Sequence, residues 1–201
     1  MNKFILLFIG LIFITSCINL REPYPNIEYY SLKQEQSFLQ NLQQKSHTVL
    51  LRRVIVNESF DTPHFLIHLD NSKVQRLFYH RWISDISTLT TDFLMTRLNQ
   101  SKLLVHGVVG SGSVAVPEYI IEPHLIEMTT KNANNIAMGE NFVEIALKVD
   151  FIKRLPDNTL EFVFSNVYRQ KYIRRQTETK YIADAYSKVF SMAVDNVISD
   201  L

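Results

Sequence analysis

Cys17 is the only cysteine in 201 residues, and its neighbours point its thiol to one chemistry. Met1-Asn2-Lys3 is a short cationic start, and Phe4 to Ile14 is an unbroken apolar run of eleven residues. That run has the length of a signal-peptide core and falls short of the roughly 20 apolar residues a membrane-spanning helix needs. It closes in Ile14-Thr15-Ser16-Cys17: a branched apolar residue, two small residues and a cysteine, the pattern of a lipobox. Small side chains before the cut fit a signal peptidase groove, and a thiol at the first mature position carries a diacylglyceryl group by thioether. An ordinary secretory signal that contains a cysteine by chance is the alternative. Either way an exported chain with one thiol forms no internal disulfide, so packing must hold it.

Other chemistry is sparse. The six histidines are His47, His64, His68, His80, His106 and His124. His64 and His68 have the spacing that sets two ligands on one helix face, but their surroundings read as strand and no acid pair completes a metal set. No metal site is expected. Gly110-Ser111-Gly112 is the nearest approach to a nucleophile elbow, and the strand-like residues and Pro117 that follow leave no helix N-terminus to hold an oxyanion. The carboxylates are scattered, with no acid/base pair among them. The chain therefore reads as non-enzymatic.

Two groups suit binding. Tyr79-His80-Arg81-Trp82 holds the only tryptophan, which is either an interface anchor or a core residue closing a strand. Arg169, Lys171, Arg174 and Arg175, interleaved with Tyr168 and Tyr172, form a basic-aromatic cluster. That cluster faces lipid headgroups or an acidic surface, or it is a solvated strand end.

Composition agrees with a packed domain: 46% of residues are hydrophobic and 20% charged. Lys+Arg number 21 and Asp+Glu 20, and removal of a leader containing Lys3 brings the two into balance. A nucleic-acid binder needs a cationic excess to displace counterions, so nucleic acid is not an expected partner.

The elements that position these groups follow from periodicity. Residues 1–16 read as a signal peptide, 17–26 with Pro23 and Pro25 as a lipidated tether, and 27–201 as one domain. Ile27–Leu32 suggests a first strand. Val49–Val56, nearly all apolar, predicts a central strand whose Arg52 and Arg53 point to opposite faces. Phe65–Leu69 and Val74–Trp82 predict two strands joined by Asp70-Asn71-Ser72. Ile86, Leu89, Phe93, Leu94 and Leu98 predict a helix over 85–101 capped by Ser84 or Asp85. Leu103–Val109 reads as strand, and Tyr119–Met128 as a strand made an edge, or bulged, by Pro123. Residues 142–173 predict a long antiparallel hairpin, with Val143, Ile145, Leu147, Val149 and Phe151 on one face. Its return strand continues that face through Leu160, Phe162, Phe164, Tyr168 and Tyr172. A last helix over 179–200 buries Ile182, Tyr186, Val189, Phe190, Ala193 and Val197, and turns Lys180, Asp184, Lys188 and Asp195 to water. The sum is an α+β domain of two main helices on a mixed, largely antiparallel sheet.

The order of these pieces resembles the ABC-type transport auxiliary lipoproteins, the paraquat-inducible protein C-like family. The resemblance lies in the lipobox, Tyr29-Tyr30-Ser31-Leu32, the apolar strand, Ser59-Phe60-Asp61-Thr62-Pro63, Tyr79-His80-Arg81-Trp82 before a helix, and Ala183-Asp184-Ala185 in the last helix. Phe60 stands where the family has tyrosine, and Thr62 where it has arginine. The resemblance implies a three-layer domain of anticodon-binding-domain-like architecture, anchored in the outer membrane and facing the periplasm. Ile18 rather than an aspartate follows Cys17, which agrees with outer-membrane sorting. It further implies a docking subunit for a periplasmic or inner-membrane MCE-domain protein, in a system moving phospholipid or other hydrophobic molecules between the two membranes. Phe60, Asp61, Tyr79, Arg81 and Trp82 are then candidate partner contacts, and a homo-oligomeric ring a way to multiply them. No cofactor is implied beyond the diacylglycerol and N-acyl lipid on Cys17. A periplasmic lipid-binding carrier and an assembly lipoprotein of an outer-membrane translocon are the other readings.

Overall fold

The computed structural model describes residues 25–36, 39, 42–69, 72–132, 140–176 and 178–201. The signal peptide, Cys17 and most of the tether lie outside the described residues. Among the described residues nine strands and two helices follow in the order β1 (Glu28–Tyr30), β2 (Val49–Leu51), β3 (Ile55–Val56), β4 (His64–His68), β5 (Val74–Trp82), α1 (Ile86–Gln100), β6 (Val108–Gly110), β7 (Tyr119–Lys131), β8 (Phe142–Arg154), β9 (Leu160–Ile173) and α2 (Lys180–Asp200). All the strands share one open, mixed sheet, so the domain is α+β as expected. Among the described residues no helix is long and apolar enough to cross a membrane.

The long antiparallel ribbon β7–β8–β9 is the spine. Val143, Ile145, Leu147 and Val149 are sealed from solvent beneath α2, whose Ile182, Tyr186, Val189, Phe190, Ala193 and Val197 form the predicted stripe. Alternation in the strand and 3.6-residue recurrence in the helix bring two apolar surfaces together, and each fully buried large side chain contributes about 1.5–3 kcal/mol. α1 joins the same core: Phe93 meets Phe190 with ring centroids 6.0 Å apart. Its start is fixed by Asp85, whose carboxylate accepts from the Thr88 amide at 2.7 Å.

The second edge of β7 carries three short parallel strands in series: β2 along Tyr119–Ile121, β3 along His124 and Leu125, and β4 at Lys131. β6 lies outside β2, and β5 then β1 lie outside β4. Tyr119–Met128 is thus central in the sheet, contrary to the edge expected from Pro123. The bulge allowed there lies two residues on, between Leu125 and Glu127. Arg52 N donates to Ile121 O, and Asn57 N to Leu125 O. Odd-numbered residues of β7 therefore turn their backbone groups towards β2 and β3, and Pro123 falls opposite 52–54, where the chain has left the sheet. Its missing N–H is lost where no strand asks for it.

The expected single strand over 49–56 is accordingly split. Arg52 reaches Glu122 on one side of the break, while Arg53 donates to Asp85 and Ser87 at the start of α1. The expected strand over 103–109 shortens to β6, with Leu104 bridging Lys45. On β9 a register shift opposite Phe151 and Ile152 inserts Val163. Phe164, Tyr168 and Tyr172 stay on the helix side, but Leu160 and Phe162 pair with Arg154 and Ile152 on the other face and are 53% and 66% exposed. The continuous apolar face predicted for the return strand is therefore broken at that bulge.

Candidate functional site

The residues proposed for partner contact gather where β5 ends. Asn57 O accepts from the amides of Phe60 and Asp61 at 3.1 and 3.2 Å, folding the loop before Pro63 into a tight turn. Trp82 N donates to Pro63 O at 2.6 Å and pins that loop to β5. Phe60 is half-buried and Asp61 exposed.

β5 runs against β4 with a break in register: His64 pairs with Arg81, yet the next residue, Phe65, pairs with Leu77. Phe78, Tyr79 and His80 form the bulge between them, and Arg81 Nε donates to Phe78 O at 3.1 Å across it. The bulge pushes Phe78 and Tyr79 into solvent, 62% and 49% exposed. Tyr29 and Ile83, also exposed, flank it, since β1 pairs Tyr29 with Arg81. Phe78 is the functional candidate that sequence reading passes over, because an aromatic in an alternating strand reads as ordinary strand chemistry.

Trp82 has the opposite fate. At 3% exposure its ring lies 4.4 Å from Phe65 and 5.7 Å from Tyr186, centroid to centroid. Tyr186 shares a hydrogen bond with Thr130 Oγ1 at 2.8 Å, and burial pushes its phenol well above the usual value. Trp82 is therefore a core residue, and as a partner contact it is corrected: no face of its ring is offered to a second molecule. Tyr30 completes the aromatic cluster 5.1 Å from Phe65, its phenol pushed up to about 12 by burial and then by the neighbouring Glu28.

The basic-aromatic cluster of β9 is divided by the pleat. Arg169 pairs with Glu127 and Lys171 with Glu140, beside the open sheet face. Tyr168 points to the helix side and donates to Asp200 at 2.7 Å, while Tyr172 accepts from Lys188 at 3.1 Å. Arg174, just beyond the strand, is buried.

His64 and His68 stay apart, since four residues along a strand separate them by about 13 Å. Glu122, His124 and Asp150 do approach, with one potential ligand atom each within 4.8 Å of one another. Two cations already occupy this cluster: Lys148 lies 2.7 Å from Asp150 and Arg52 2.5 Å from Glu122. Burial pushes the Asp150 carboxyl up, but Lys148, Ser165 and His124 outweigh it and hold the group below the ordinary carboxylate value. The cluster is an ion-paired ladder across the sheet, neutral before any metal arrives.

The sequence matches no family model and no curated relative. Solved structures resemble the fold. A Xanthomonas campestris protein of family DUF330 superposes with TM-score 0.71 at 12% identity, over 85% of this chain and 92% of its own. An uncharacterized protein gives 0.63 at 10% identity, over 87% and 98%. A hypothetical protein from Chlamydia trachomatis gives 0.51 at 9% identity, over 76% and 96%. At such identities the likeness is one of architecture, and the chain shares the fold of these proteins along most of its length.

Proposed function

We propose that this chain is a lipid-anchored, non-enzymatic docking protein of the outer membrane, facing the periplasm and receiving an MCE-domain partner in a system that moves phospholipid or other hydrophobic molecules. The observation that carries the docking reading is the β5 bulge, which holds Phe78 and Tyr79 out in water beside Tyr29, Ile83 and the Phe60–Asp61 turn. Aromatic side chains on a rigid, register-locked bulge are what a hot spot needs, because they bury large area at small entropic cost. The lipobox at Cys17 supports the anchor.

Copies of the chain assemble, in this reading, through β9. Among the described residues β9 pairs only with β8, and it exposes Leu160, Phe162, Val163, Val167 and Ile173 along 14 residues. An unpaired edge of that length is normally covered or charged, and a neighbouring copy would cover it.

The test is pull-down of the same organism's MCE-domain proteins by the lipidated full chain, against a Phe78→Ser/Tyr79→Ser variant. Capture by the wild type, lost in the variant at unchanged melting temperature, is the expected result. Wild-type protein that captures no such partner but elutes with phospholipid would replace docking with the carrier reading.

A further inference from the structure

Arg174 is a buried cation to which no carboxylate among the described residues is bonded. It is 4% exposed, and its Nη1 donates to Gln176 O at 3.1 Å. Its Nη2 donates to Lys131 O at 3.3 Å and to Asn132 Oδ1, while Nε is buried with no acceptor. Every acceptor is a neutral oxygen. Desolvation lowers the proton affinity of the guanidinium, and Tyr186 only partly opposes it. A buried charge is ordinarily paired, because neutral dipoles replace its lost hydration incompletely.

Arg174 lines a solvent-open cleft between the end of β9 and the first two turns of α2. Lys171, Arg175 and Lys188 share its walls with Tyr172 and Tyr181, and Asp184 is the one carboxylate among the described lining residues. Asp184 faces Lys33 at 3.6 Å, and Lys171 faces Glu140 at 3.4 Å. Lys188 donates to Tyr172 and lies 4.6 Å from its ring centroid, and the carboxylates of Glu35 and Asp184 act on it at longer range. The first turn of α2 carries no acid, so its dipole adds to the positive potential. Glu178, just ahead of the helix, is engaged by Lys180 at 2.9 Å. The Tyr181 and Ile182 amides already donate to Glu178 O and Thr179 O, so the grip on a ligand falls to side chains.

We propose that this cleft binds a phosphate ester. Lys188 and Arg175 contact the phosphate oxygens, Arg174 supplies the buried charge behind them, and Tyr172 and Tyr181 flank the organic part. Charge and shape both favour phosphate over a simple carboxylate: one carboxylate can occupy one guanidinium fork, whereas phosphate presents oxygens in several directions to several cations. The same chemistry is offered by a phospholipid headgroup and by a free phosphate ester. None of these residues lies on the β5 bulge, so the site stands or falls apart from the docking reading.

Calorimetry on the full chain in neutral detergent tests it, with glycerol 3-phosphate, inorganic phosphate, dihexanoylphosphatidylglycerol, and acetate and glycerol as controls. Saturable binding of the phosphates but not of the controls is expected, weakened about tenfold by the exposed-side pair Lys188→Gln/Arg175→Gln. Arg174→Gln should weaken it as well, and should that variant fail to fold the exposed pair decides alone. Tighter binding of the short-chain lipid than of glycerol 3-phosphate identifies a headgroup as the natural ligand, and equal binding identifies a free ester. No saturable binding of any phosphate, or affinities unchanged in the Lys188→Gln/Arg175→Gln variant, would overturn the site.

Discussion

Arg97 and Asp195 clasp the two helices through two parallel hydrogen bonds, Nε to Oδ1 at 2.7 Å and Nη2 to Oδ2 at 2.8 Å. The arginine side chain is 3% exposed and the aspartate 13%, so the pair sits in a low-dielectric seam between α1 and α2. Arg97 Nη1 also donates to Glu35 O at 2.8 Å, tying the segment after β1 to the same point. Removing one partner breaks a buried ion pair, and Arg97→Ala should cost about 3–5 kcal/mol. Replacing both partners, as Arg97→Met/Asp195→Leu, should restore most of that loss. Urea denaturation of the three proteins checks it, and a double variant as unstable as the single one contradicts the account.

Asp85 should make α1 sensitive to acid. Its carboxylate accepts from the Thr88 amide, then from the Thr88 hydroxyl and Arg53, and these hold it below the ordinary value of 3.8. A carboxyl depressed in the folded state stabilises fully above its unfolded pKa, and that contribution is lost as pH falls through the folded one. Asp85→Ala should cost about 0.5–2 kcal/mol at neutral pH and much less near pH 2. Thermal melts of both proteins at the two pH values measure the difference. An equal gap at both would mean the cap is not the cause.

Trp82 and Phe78 lie four residues apart on one strand and should respond in opposite ways. Trp82→Ala opens a cavity between Phe65 and Tyr186 and should cost about 3–5 kcal/mol. Phe78→Ser removes a largely solvated ring and should change stability by less than about 0.5 kcal/mol. Differential scanning calorimetry separates them. A large loss from Phe78→Ser would mean that its ring contact with His64, 5.9 Å between centroids, is structural.

The helices were legible in the sequence because their apolar stripes recur at the period of the element itself, and each predicted stripe residue is buried. The β8–β9 hairpin was legible for the same local reason, except where the Val163 bulge turns the residues before it to the other face. What escaped depends on partners far along the chain. Asp195 reads as solvent-facing from its helix alone, since Arg97 stands 98 residues away. Pro123 reads as an edge marker because nothing local says that β2 and β3 leave a gap opposite it. The site divides likewise: alternation cannot show that β5 bulges between Leu77 and Arg81, so Phe78 was missed and Trp82 remained open between core and interface. The charge of Arg174 was visible in the basic cluster, but that no described carboxylate pairs with it shows only in three dimensions.

The buried tyrosines should make the fold sensitive to alkali. Burial followed by Glu28 raises Tyr30 to about 12, and burial pushes Tyr168 and Tyr186 higher still. A phenol whose folded pKa is raised stabilises the fold below its unfolded value near 10, and this stabilisation is lost as pH rises towards the folded one. Ultraviolet titration at 295 nm should show part of the tyrosine signal withheld above pH 11 and released together with loss of near-ultraviolet dichroism. All nine tyrosines titrating as one class near pH 10 would contradict the packing around Trp82.

Cys17 is where the proposed anchor meets the energetics of membranes. Each buried methylene contributes about 0.8 kcal/mol, so a single acyl chain gives weak, reversible attachment and two or three together hold firmly. A diacylglyceryl thioether with an N-acyl chain on Cys17 supplies three chains at one residue, which fits a protein tethered by a short segment ahead of β1. Cys17→Ala should leave the leader uncut, because lipid transfer to the thiol precedes cleavage, and should abolish incorporation of labelled palmitate. Membrane fractionation of the wild type should place it in the outer membrane, given Ile18 after the cysteine. A Cys17→Ala protein that still matures to the wild-type mass and partitions into detergent would show that the leader is an ordinary secretory signal, and the anchor would have to lie elsewhere.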